Sequence, residues 1–126
     1  MFDRDLASQS LGMELVDAGD GAAVVRMRVT EAMVNGHGLT HGGYVFLLAD
    51  TAFACACNSY GPVTVASGAD VTFLRPSHAG DLLEARAAER SNNGRGGIYD
   101  VTVWREGDVV AEFRGRSRQV SPGRPS

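Results

Sequence analysis

The sequence predicts an α+β domain in which an antiparallel sheet of about five to six strands wraps one long helix. Two patterns predict this fold: a long, almost entirely apolar run that begins at Gly42, and segments of alternating residues on both sides of that run. A chain of 126 residues can bury one hydrophobic core without a disulfide or a metal. We expect a single domain over residues 1–120 and a disordered tail over residues 121–126, which contain two prolines and a glycine.

The segment before the long helix is predicted to form a β-hairpin. A short amphipathic helix or cap is expected over residues 3–11 and ends at Gly12. Residues 17–21, DAGDG, have the composition of a turn. The apolar side chains that follow recur at every second position, which is typical of a half-buried strand. The hairpin therefore covers about residues 13–30.

The long helix is expected from Gly42 to about Ser59, because Gly61 and Pro62 stop it. Apolar side chains surround this helix on almost every side, so we expect it to be buried on most of its faces.

More strands are predicted after the helix. Apolar and small side chains at every second position from Val63 to Phe73 predict one face of a long strand. Two further strands are predicted around a turn at residues 106–108. Residues 81–90 remain open at this point, because their composition favours a helix while their strand-like neighbours favour a strand.

Charge and cysteine content exclude several classes of protein. The net charge of −3 argues against a nucleic-acid partner or a membrane surface, which select for basic proteins. Cys55 and Cys57 would lie about 200° apart around a helix, so they cannot form a disulfide with each other or hold one metal ion together. We interpret them as core residues in a reducing compartment. The first residues lack the pattern of a secretory signal and Asp50 interrupts the longest apolar stretch, so the protein is expected to be soluble and cytoplasmic.

Asp50 stands out in this sequence. It is the only formally charged residue between Glu31 and Asp70, and it occupies the middle of the apolar helix. A buried carboxylate without a partner costs on the order of several kcal/mol, so such a residue is either paired or functional. An arginine from the sheet could pair with it; the alternative is a catalytic role.

The motifs around Asp50 resemble those of a known family. The segment NGHGLTHGG at residues 35–43, followed by LLADTAFA at residues 47–54, resembles the signature of the hot-dog-fold acyl-CoA thioesterases, in particular the phenylacetate-pathway (PaaI) branch. Further matching segments are ACACNS at residues 54–59, FLRP at 73–76, AGD at 79–81 and GIYD at 97–100. Together they extend over about residues 11–120, which is nearly the whole predicted domain.

The resemblance implies a fold, an activity and an assembly. It implies a hot-dog fold in which residues 81–90 form a strand, and hydrolysis of acyl-CoA thioesters, aryl-acetyl ones such as phenylacetyl-CoA or hydroxyphenylacetyl-CoA being the expected substrates. Coenzyme A would be part of the substrate, and no other cofactor and no metal are expected. The family also implies a homodimer that joins two sheets edge to edge, assembled further into a homotetramer.

The chemistry can also be argued from the residues. Thioester hydrolysis builds negative charge on the carbonyl oxygen, and Gly42 at the helix start would offer a free backbone N–H to that oxygen. Asp50 would act as nucleophile or as general base. On one helix the two residues are separated by roughly 12 Å of rise, too far to serve one carbonyl group. We therefore predict composite sites in which Gly42 and Asp50 come from different protomers of a two-fold dimer.

Two further catalytic residues are assigned by resemblance. Asn35 matches the family asparagine that positions the attacking water or the carboxylate; its structural alternative is an Asx turn with Gly36. His41 is given a supporting role near the thioester sulfur, and its alternative is a side chain satisfied by backbone at the helix start.

Substrate-binding residues are predicted less directly. Arg75, Arg95 and Asn93 are candidates for contacts with coenzyme A, together with Gly43 beside the oxyanion site. The stripe of residues 114, 116 and 118 is a further arginine set that could instead be a solvated sheet face. Ser67 and Gly68 are expected to border the acyl pocket.

Two other functions stay open at this point. A hot-dog dehydratase or isomerase would pair a histidine with a carboxylate across the groove, and a non-catalytic acyl-CoA-binding protein would bind without turnover.

Overall fold

The computed structural model describes residues 1–120, so the tail predicted over residues 121–126 lies outside the described residues. Two α-helices are present in this range, α1 (Leu6–Ser10) and α2 (Gly42–Cys57). The strands are β1 (Glu14–Gly19), β2 (Ala22–Arg28), β3 (Thr64–Phe73), β4 (Leu82–Asn92), β5 (Gly96–Arg105) and β6 (Asp108–Gln119).

The six strands form one sheet in the order β1-β2-β4-β5-β6-β3, and every neighbouring pair is antiparallel. Helix α2 packs against all six strands, and its buried side chains form the core together with the inward side chains of the sheet. The predicted α+β class, with a sheet wrapped around one long helix, is confirmed.

Tight turns connect the strands within each of the two hairpins that the sequence predicted. Asp20 and Gly21 join β1 to β2, and both have positive φ, 52° and 79°. That conformation suits the two-residue turns whose twist matches the strands beside them. Glu106, with φ 54°, and Gly107 join β5 to β6 by another two-residue connection. Both predicted hairpins are confirmed.

Strand β4 resolves the segment that the sequence left open. It pairs with β2 on one side and β5 on the other. Leu83, Ala85 and Ala87 are buried, while Arg86 and Ala88 beside them are exposed. Because pairing on both edges and a buried face outweigh intrinsic propensity, the strand implied by the family resemblance forms.

The prediction of a single apolar face for residues 63–73 is wrong. The register of β3 against β6 shifts between Ala66 and Gly68, which is a β-bulge at Ser67. Val71 lies beyond the bulge and packs on the core, whereas Val65 before it pairs with the exposed Arg118. A single extra residue thus moves the start of the apolar series to the outer face of the sheet.

Helix α2 ends two residues before the predicted Ser59. Asn58 caps it, because its amide group donates to the carbonyl oxygens of Ala54 (2.8 Å) and Thr64 (3.0 Å) and its Oδ1 accepts from the Thr64 N–H (2.9 Å). The end of α2 is thereby tied to the start of β3.

Both cysteines of α2 are free and buried, as expected for core residues. Burial raises the pKa of each thiol to about 11, so they are neutral thiols at physiological pH. Within residues 1–120, no helix combines the length and apolar character needed to cross a bilayer.

Candidate active site

Asp50 is half-buried in the middle of α2 and opens into a cavity of about 320 Å³. The walls of this cavity are mostly apolar; they comprise Phe53, Ala54, Cys57 and Asn58 of α2, residues 63–66 around the start of β3, and Met1. We call it the Asp50 cavity.

Burial raises the pKa of the Asp50 carboxyl, and the negative charge of Asp5 raises it further. No hydrogen-bond donor or cation within residues 1–120 offsets these effects. The structural alternative, an arginine paired with a buried aspartate, is therefore not found in the described part of the chain. Asp50 has a carboxylate free to act on a bound molecule.

Gly42 is the first residue of α2, and no group in residues 1–120 accepts a hydrogen bond from its N–H. The positive end of the helix dipole adds to the pull of this N–H on an anion or a carbonyl oxygen. The ring of Phe73 covers the glycine so closely that a Cβ atom there would lie 2.9 Å from a ring carbon. A free donor and tight packing are thus both properties of this residue.

Gly42 lines a second cavity, of about 480 Å³, which we call the Gly42 cavity. It also contains Asn35 and Arg75, so three of the predicted site residues come together here. Asp50 does not line it. Within one chain, the predicted oxyanion donor and the Asp50 carboxylate therefore lie in separate cavities.

The two cavities lie at opposite ends of strand β3. Residues 64–66, at the start of the strand, line the Asp50 cavity, and Phe73, its last residue, lines the Gly42 cavity. β3 is an edge strand of the sheet, so one of its sides has no neighbouring strand within residues 1–120.

Asn35 forms the Asx-type turn that was its structural alternative. Its Oδ1 accepts hydrogen bonds from the N–H groups of His37 (2.9 Å) and Leu39 (3.2 Å). Since an amide oxygen has two lone pairs, only the Nδ2 hydrogens remain for a ligand in the Gly42 cavity. Asn35 can donate to a bound water or carboxylate but has no acceptor left for it.

His41 occupies the N-cap position of α2, and its Nδ1 accepts a hydrogen bond from the Gly43 N–H at 3.0 Å. This contact requires the tautomer with the proton on Nε2 when the ring is neutral. The Gly43 N–H is occupied, in contrast to that of Gly42. The exposed Nε2–H is the part of His41 that remains available to a substrate.

The predicted cations lie at both ends of β3. Arg75 lines the Gly42 cavity and donates to the Val109 carbonyl at 2.8 Å. Arg95 is exposed in the turn between β4 and β5, where Asn93 Oδ1 accepts from the N–H groups of Arg95 and Gly96 at 3.1 and 2.9 Å. Neither arginine forms an ion pair with another residue of the range 1–120.

The arginine stripe of β6 is largely neutralised. Arg114 forms two hydrogen bonds to Asp100, at 2.7 and 2.9 Å, and Arg116 bonds to Asp70 at 3.0 Å. Arg118 has no carboxylate partner in the described chain and pairs in the ladder with Gly96, beside Arg95. The solvated sheet face is thus the better description of residues 114 and 116.

Ser67 and Gly68 lie on β3 but outside the lining of either cavity. Ser67 is the bulge residue and donates to the Arg116 carbonyl at 3.1 Å. Gly68 faces the guanidinium group of Arg116, from which a Cβ would be 3.2 Å away. Their predicted place at the border of an acyl pocket would require a second chain along this edge.

Comparison with known proteins decides the family. A model of the thioesterase superfamily matches residues 37–112, which is more than half of the chain. The chain belongs to the thioesterase superfamily. This thioesterase is 45% identical over 121 residues to acyl-coenzyme A thioesterase PaaI of Escherichia coli K12, a match that covers 95% of this chain and 86% of the relative.

Solved structures agree with this membership. The structure of E. coli PaaI matches the thioesterase with a TM-score of 0.94 at 44% identity, over 96% of this chain and 88% of that one. A mutant of the phenylacetic acid degradation protein PaaI from Thermus thermophilus gives a TM-score of 0.87 at 38% identity, over 90% and 98% of the two chains. The hot-dog fold, the PaaI branch and the identification as a thioester-hydrolysing enzyme are confirmed.

Sequence reasoning missed two features of the thioesterase site. Phe73 was assigned to a strand face, and its position over Gly42 depends on where β3 ends relative to α2. The N-terminal segment was predicted only as a short helix or cap, yet Met1 lines the Asp50 cavity and Asp5 influences the Asp50 carboxyl. Asp5 followed three residues later by Ser8 is an N-cap pattern, but nothing local to it indicates which surface the helix covers.

Proposed function

We propose that the protein hydrolyses acyl-CoA thioesters in composite sites, each made from the Gly42 cavity of one protomer and the Asp50 cavity of another. The observation that carries the proposal is the placement of the two cavities at opposite ends of the edge strand β3. When two copies of β3 pair antiparallel about a two-fold axis, the start of each strand meets the end of the other.

The surface of β3 supports its pairing with a second copy. Val65 is 46% exposed and Phe73 52%, and Val63, directly before the strand, is 57% exposed, so apolar side chains near both ends of β3 would otherwise be covered by water. The opposite edge strand, β1, is 6 residues long and β3 is 10 residues long, so β1 offers a shorter ladder to a partner. Two dimers of this kind would form the homotetramer that the family implies.

In each composite site, the residues have separate roles. The Gly42 N–H donates to the carbonyl oxygen of the thioester and stabilises the negative charge that develops there. Asp50 attacks the carbonyl carbon or takes a proton from the attacking water, Asn35 positions that water through its Nδ2 hydrogens, and coenzyme A leaves as the thiol. His41 Nε2–H supports the sulfur side of the bond. No cofactor is needed for this reaction.

The same pairing would gather the cations that a coenzyme A phosphate needs. Arg75 lies at the Gly42 end of β3, whereas Arg95 and Arg118 lie beside the start of β3, where Thr64 pairs with Gln119. Each composite site therefore receives Arg75 from one protomer and the other two arginines from the second protomer. We assign the phosphates to these groups, with Asn93 and Gly43 as neighbouring contacts.

The Asp50 cavity would hold the acyl group. Its volume of about 320 Å³ exceeds the roughly 150 Å³ that suffices for benzene in an apolar protein cavity, so a single aryl ring fits. Phe53, Ala54 and Val65 give it an apolar wall. We propose phenylacetyl-CoA and hydroxyphenylacetyl-CoA as substrates, in line with the phenylacetic acid degradation named for one relative.

The test is Asp50→Asn, assayed by release of free coenzyme A thiol from phenylacetyl-CoA. We expect kcat to fall by roughly 10³-fold or more, because the nucleophile or base is lost while the shape is kept. The matched control is Asp17→Asn, which removes an exposed charge on β1 and should leave the rate unchanged. Near-normal thiol release by folded Asp50→Asn would remove Asp50 from the mechanism.

Labelled water distinguishes the two routes open to Asp50. In a single turnover in ¹⁸O water, attack by the carboxylate itself would form a mixed anhydride. Hydrolysis of this anhydride at the protein carbonyl would then place the label in Asp50. General-base catalysis labels only the product. A panel of acyl-CoA substrates then establishes the acyl preference.

A further inference from the structure

Three hydroxyl and carboxyl groups link the N-terminal helix to the middle of α2. Asp5 Oδ2 accepts a hydrogen bond from Ser8 Oγ at 2.7 Å, and Ser8 Oγ lies 2.8 Å from Thr51 Oγ1. Thr51 Oγ1 also lies 2.8 Å from the Leu47 carbonyl oxygen. Ser8 and Thr51 are both buried, at 1% and 3% exposure. The segment before β1 is therefore anchored to α2 through buried polar contacts.

The anchor reaches α2 at the residue next to Asp50. Asp5 is the N-cap of α1, and its Oδ1 accepts from the Ser8 N–H at 3.0 Å, so its carboxylate is held by two contacts. Ordinary capping needs only the backbone contact, and no buried threonine on another helix. The arrangement fixes one carboxylate beside the helix turn that carries another.

Near Asp50, the other titratable groups of the described residues are buried thiols, a buried phenol and the amino terminus, a cation that belongs to the cavity-lining Met1. On α2 itself, burial raises the pKa of the Cys57 thiol to about 11. On the strands packed against α2, Tyr99 is the one buried titratable side chain within residues 1–120; burial raises the pKa of its hydroxyl, which is bonded to Glu89. The amino terminus pairs with Asp3 at 3.2 Å. Asp5 is thus the charged side chain of the described residues that raises the pKa of the Asp50 carboxyl.

We propose that Asp5 is a positioning residue for Asp50: its carboxylate, held through Ser8 and Thr51, is fixed close to the helix turn that carries the proposed catalytic carboxylate and sets the charge around it. The inference rests on the proposed function for its role in catalysis. A carboxylate with greater proton affinity is a stronger base and nucleophile, as long as it stays ionised at the working pH. The N-terminal segment would in this way adjust the reactivity of a residue that it does not touch through a hydrogen bond.

The sign of the effect follows from like-charge repulsion. Asp5 raises the pKa of Asp50, so removal of its charge lets Asp50 ionise at lower pH. The acid limb of the kcat/KM profile should move to lower pH in Asp5→Asn. Relative to the plateau, kcat/KM on that limb should rise by about two- to fourfold, as expected for one like charge acting through partly screened protein.

The experiment compares Asp5→Asn with Asp17→Asn. Asparagine is a good N-cap, so Asp5→Asn keeps the contact with the Ser8 N–H while it removes the charge. Asp17→Asn removes the same charge from an exposed position on β1. A shift in Asp5→Asn alone supports the proposal. Equal shifts in both variants would show an effect of net charge, and no shift in either would show no coupling; each of these results overturns it.

A carbon-13 NMR titration of the Asp50 carboxyl gives a second readout that does not depend on catalysis. If Asp50→Asn retains activity, the proposed function fails, yet the titration still shows whether Asp5 acts on Asp50. Thr51→Val removes the anchor with Asp5 intact, and it should shift the titration in the same direction. Thr51→Ser, which keeps the hydroxyl, should restore the original titration. If Asp5→Asn does not fold, an unshifted Asp50 in Thr51→Val overturns the proposal.

Discussion

At Gly42, both the packing and the proposed chemistry require that the residue has no side chain. Its N–H has no acceptor within residues 1–120, and the Phe73 ring leaves no room for a side chain. A methyl group here would stand between the helix start and the cavity that we propose for the thioester. The glycine therefore keeps both the donor and the access to it.

We expect Gly42→Ala to lower stability by about 1–3 kcal/mol through overpacking against Phe73, and to lower kcat/KM by about 10-fold because the methyl group hinders the thioester. Chemical denaturation and thiol-release kinetics measure the two effects. Adding Phe73→Leu should recover stability without activity. The control is Gly36→Ala, whose added Cβ meets no atom within 4 Å. Full activity in the Gly42→Ala, Phe73→Leu double variant would contradict the proposal that the thioester approaches this helix start closely enough to exclude a methyl group.

At the scale of elements, the junction between α2 and β3 supports the Asp50 cavity. Asn58 closes this junction with two donated hydrogen bonds and one accepted bond, and it lines the cavity together with Thr64. Its amide donors are used by the backbone. The junction is therefore structural, although it forms part of the wall against which an acyl group would pack.

Asn58→Ala should destabilise the protein by about 2–3 kcal/mol, because the Thr64 N–H and two carbonyl groups lose their partner in a half-buried place. Asn58→Asp is the matched comparison: it keeps the acceptor for the Thr64 N–H but places a carboxylate oxygen against two carbonyl oxygens at a helix C-terminus, so a loss at least as large as in Asn58→Ala is expected. Thermal unfolding measures both. We also expect a higher KM for aryl-acyl substrates. Wild-type stability in Asn58→Ala would contradict the structural role of Asn58 at the junction between α2 and β3.

The elements that could be predicted from sequence are those with a local signal. The helix from Gly42 and both hairpins follow from period, turn residues and stop signals. β4 required the family resemblance, because its strand conformation is imposed by pairing with β2 and β5 rather than by its own residues. The bulge at Ser67 left no local signal, so the two faces of β3 were assigned incorrectly.

The same distinction applies to the site. Asp50 could be found because a charge in an apolar helix is visible in the sequence, and Gly42 because it opens that helix. The contact between Ser8, which donates to Asp5, and Thr51 depends on how α1 packs on α2, because 43 residues separate Ser8 from Thr51 in the sequence. The occupied Oδ1 of Asn35 likewise depends on the loop conformation. These contacts depend on the tertiary structure and cannot be predicted from a local sequence pattern.

At the scale of the whole molecule, the two edges of the sheet differ in what they offer. β1 is 6 residues long, whereas β3 is 10 residues long, exposes apolar side chains near both of its ends and connects the two cavities. A dimer through β3 would use one strand both to bury this surface and to complete the sites. Assembly and catalysis would then be coupled, and neither protomer alone would contain a working centre.

This coupling can be tested by mixing two impaired variants. Asp50→Asn and Gly42→Ala chains are unfolded together, refolded and assayed for thiol release. In a mixed dimer, one composite site carries both changes and the other carries neither, so equal mixing should restore about a quarter of the wild-type activity. If each protomer held a whole site, every site would carry one change and the mixture would show only the average of the two variants. In the control mixture, Asp50→Asn is combined with a chain that carries both substitutions; no intact site can form there under either arrangement, so this mixture gives the background that the recovered activity must exceed.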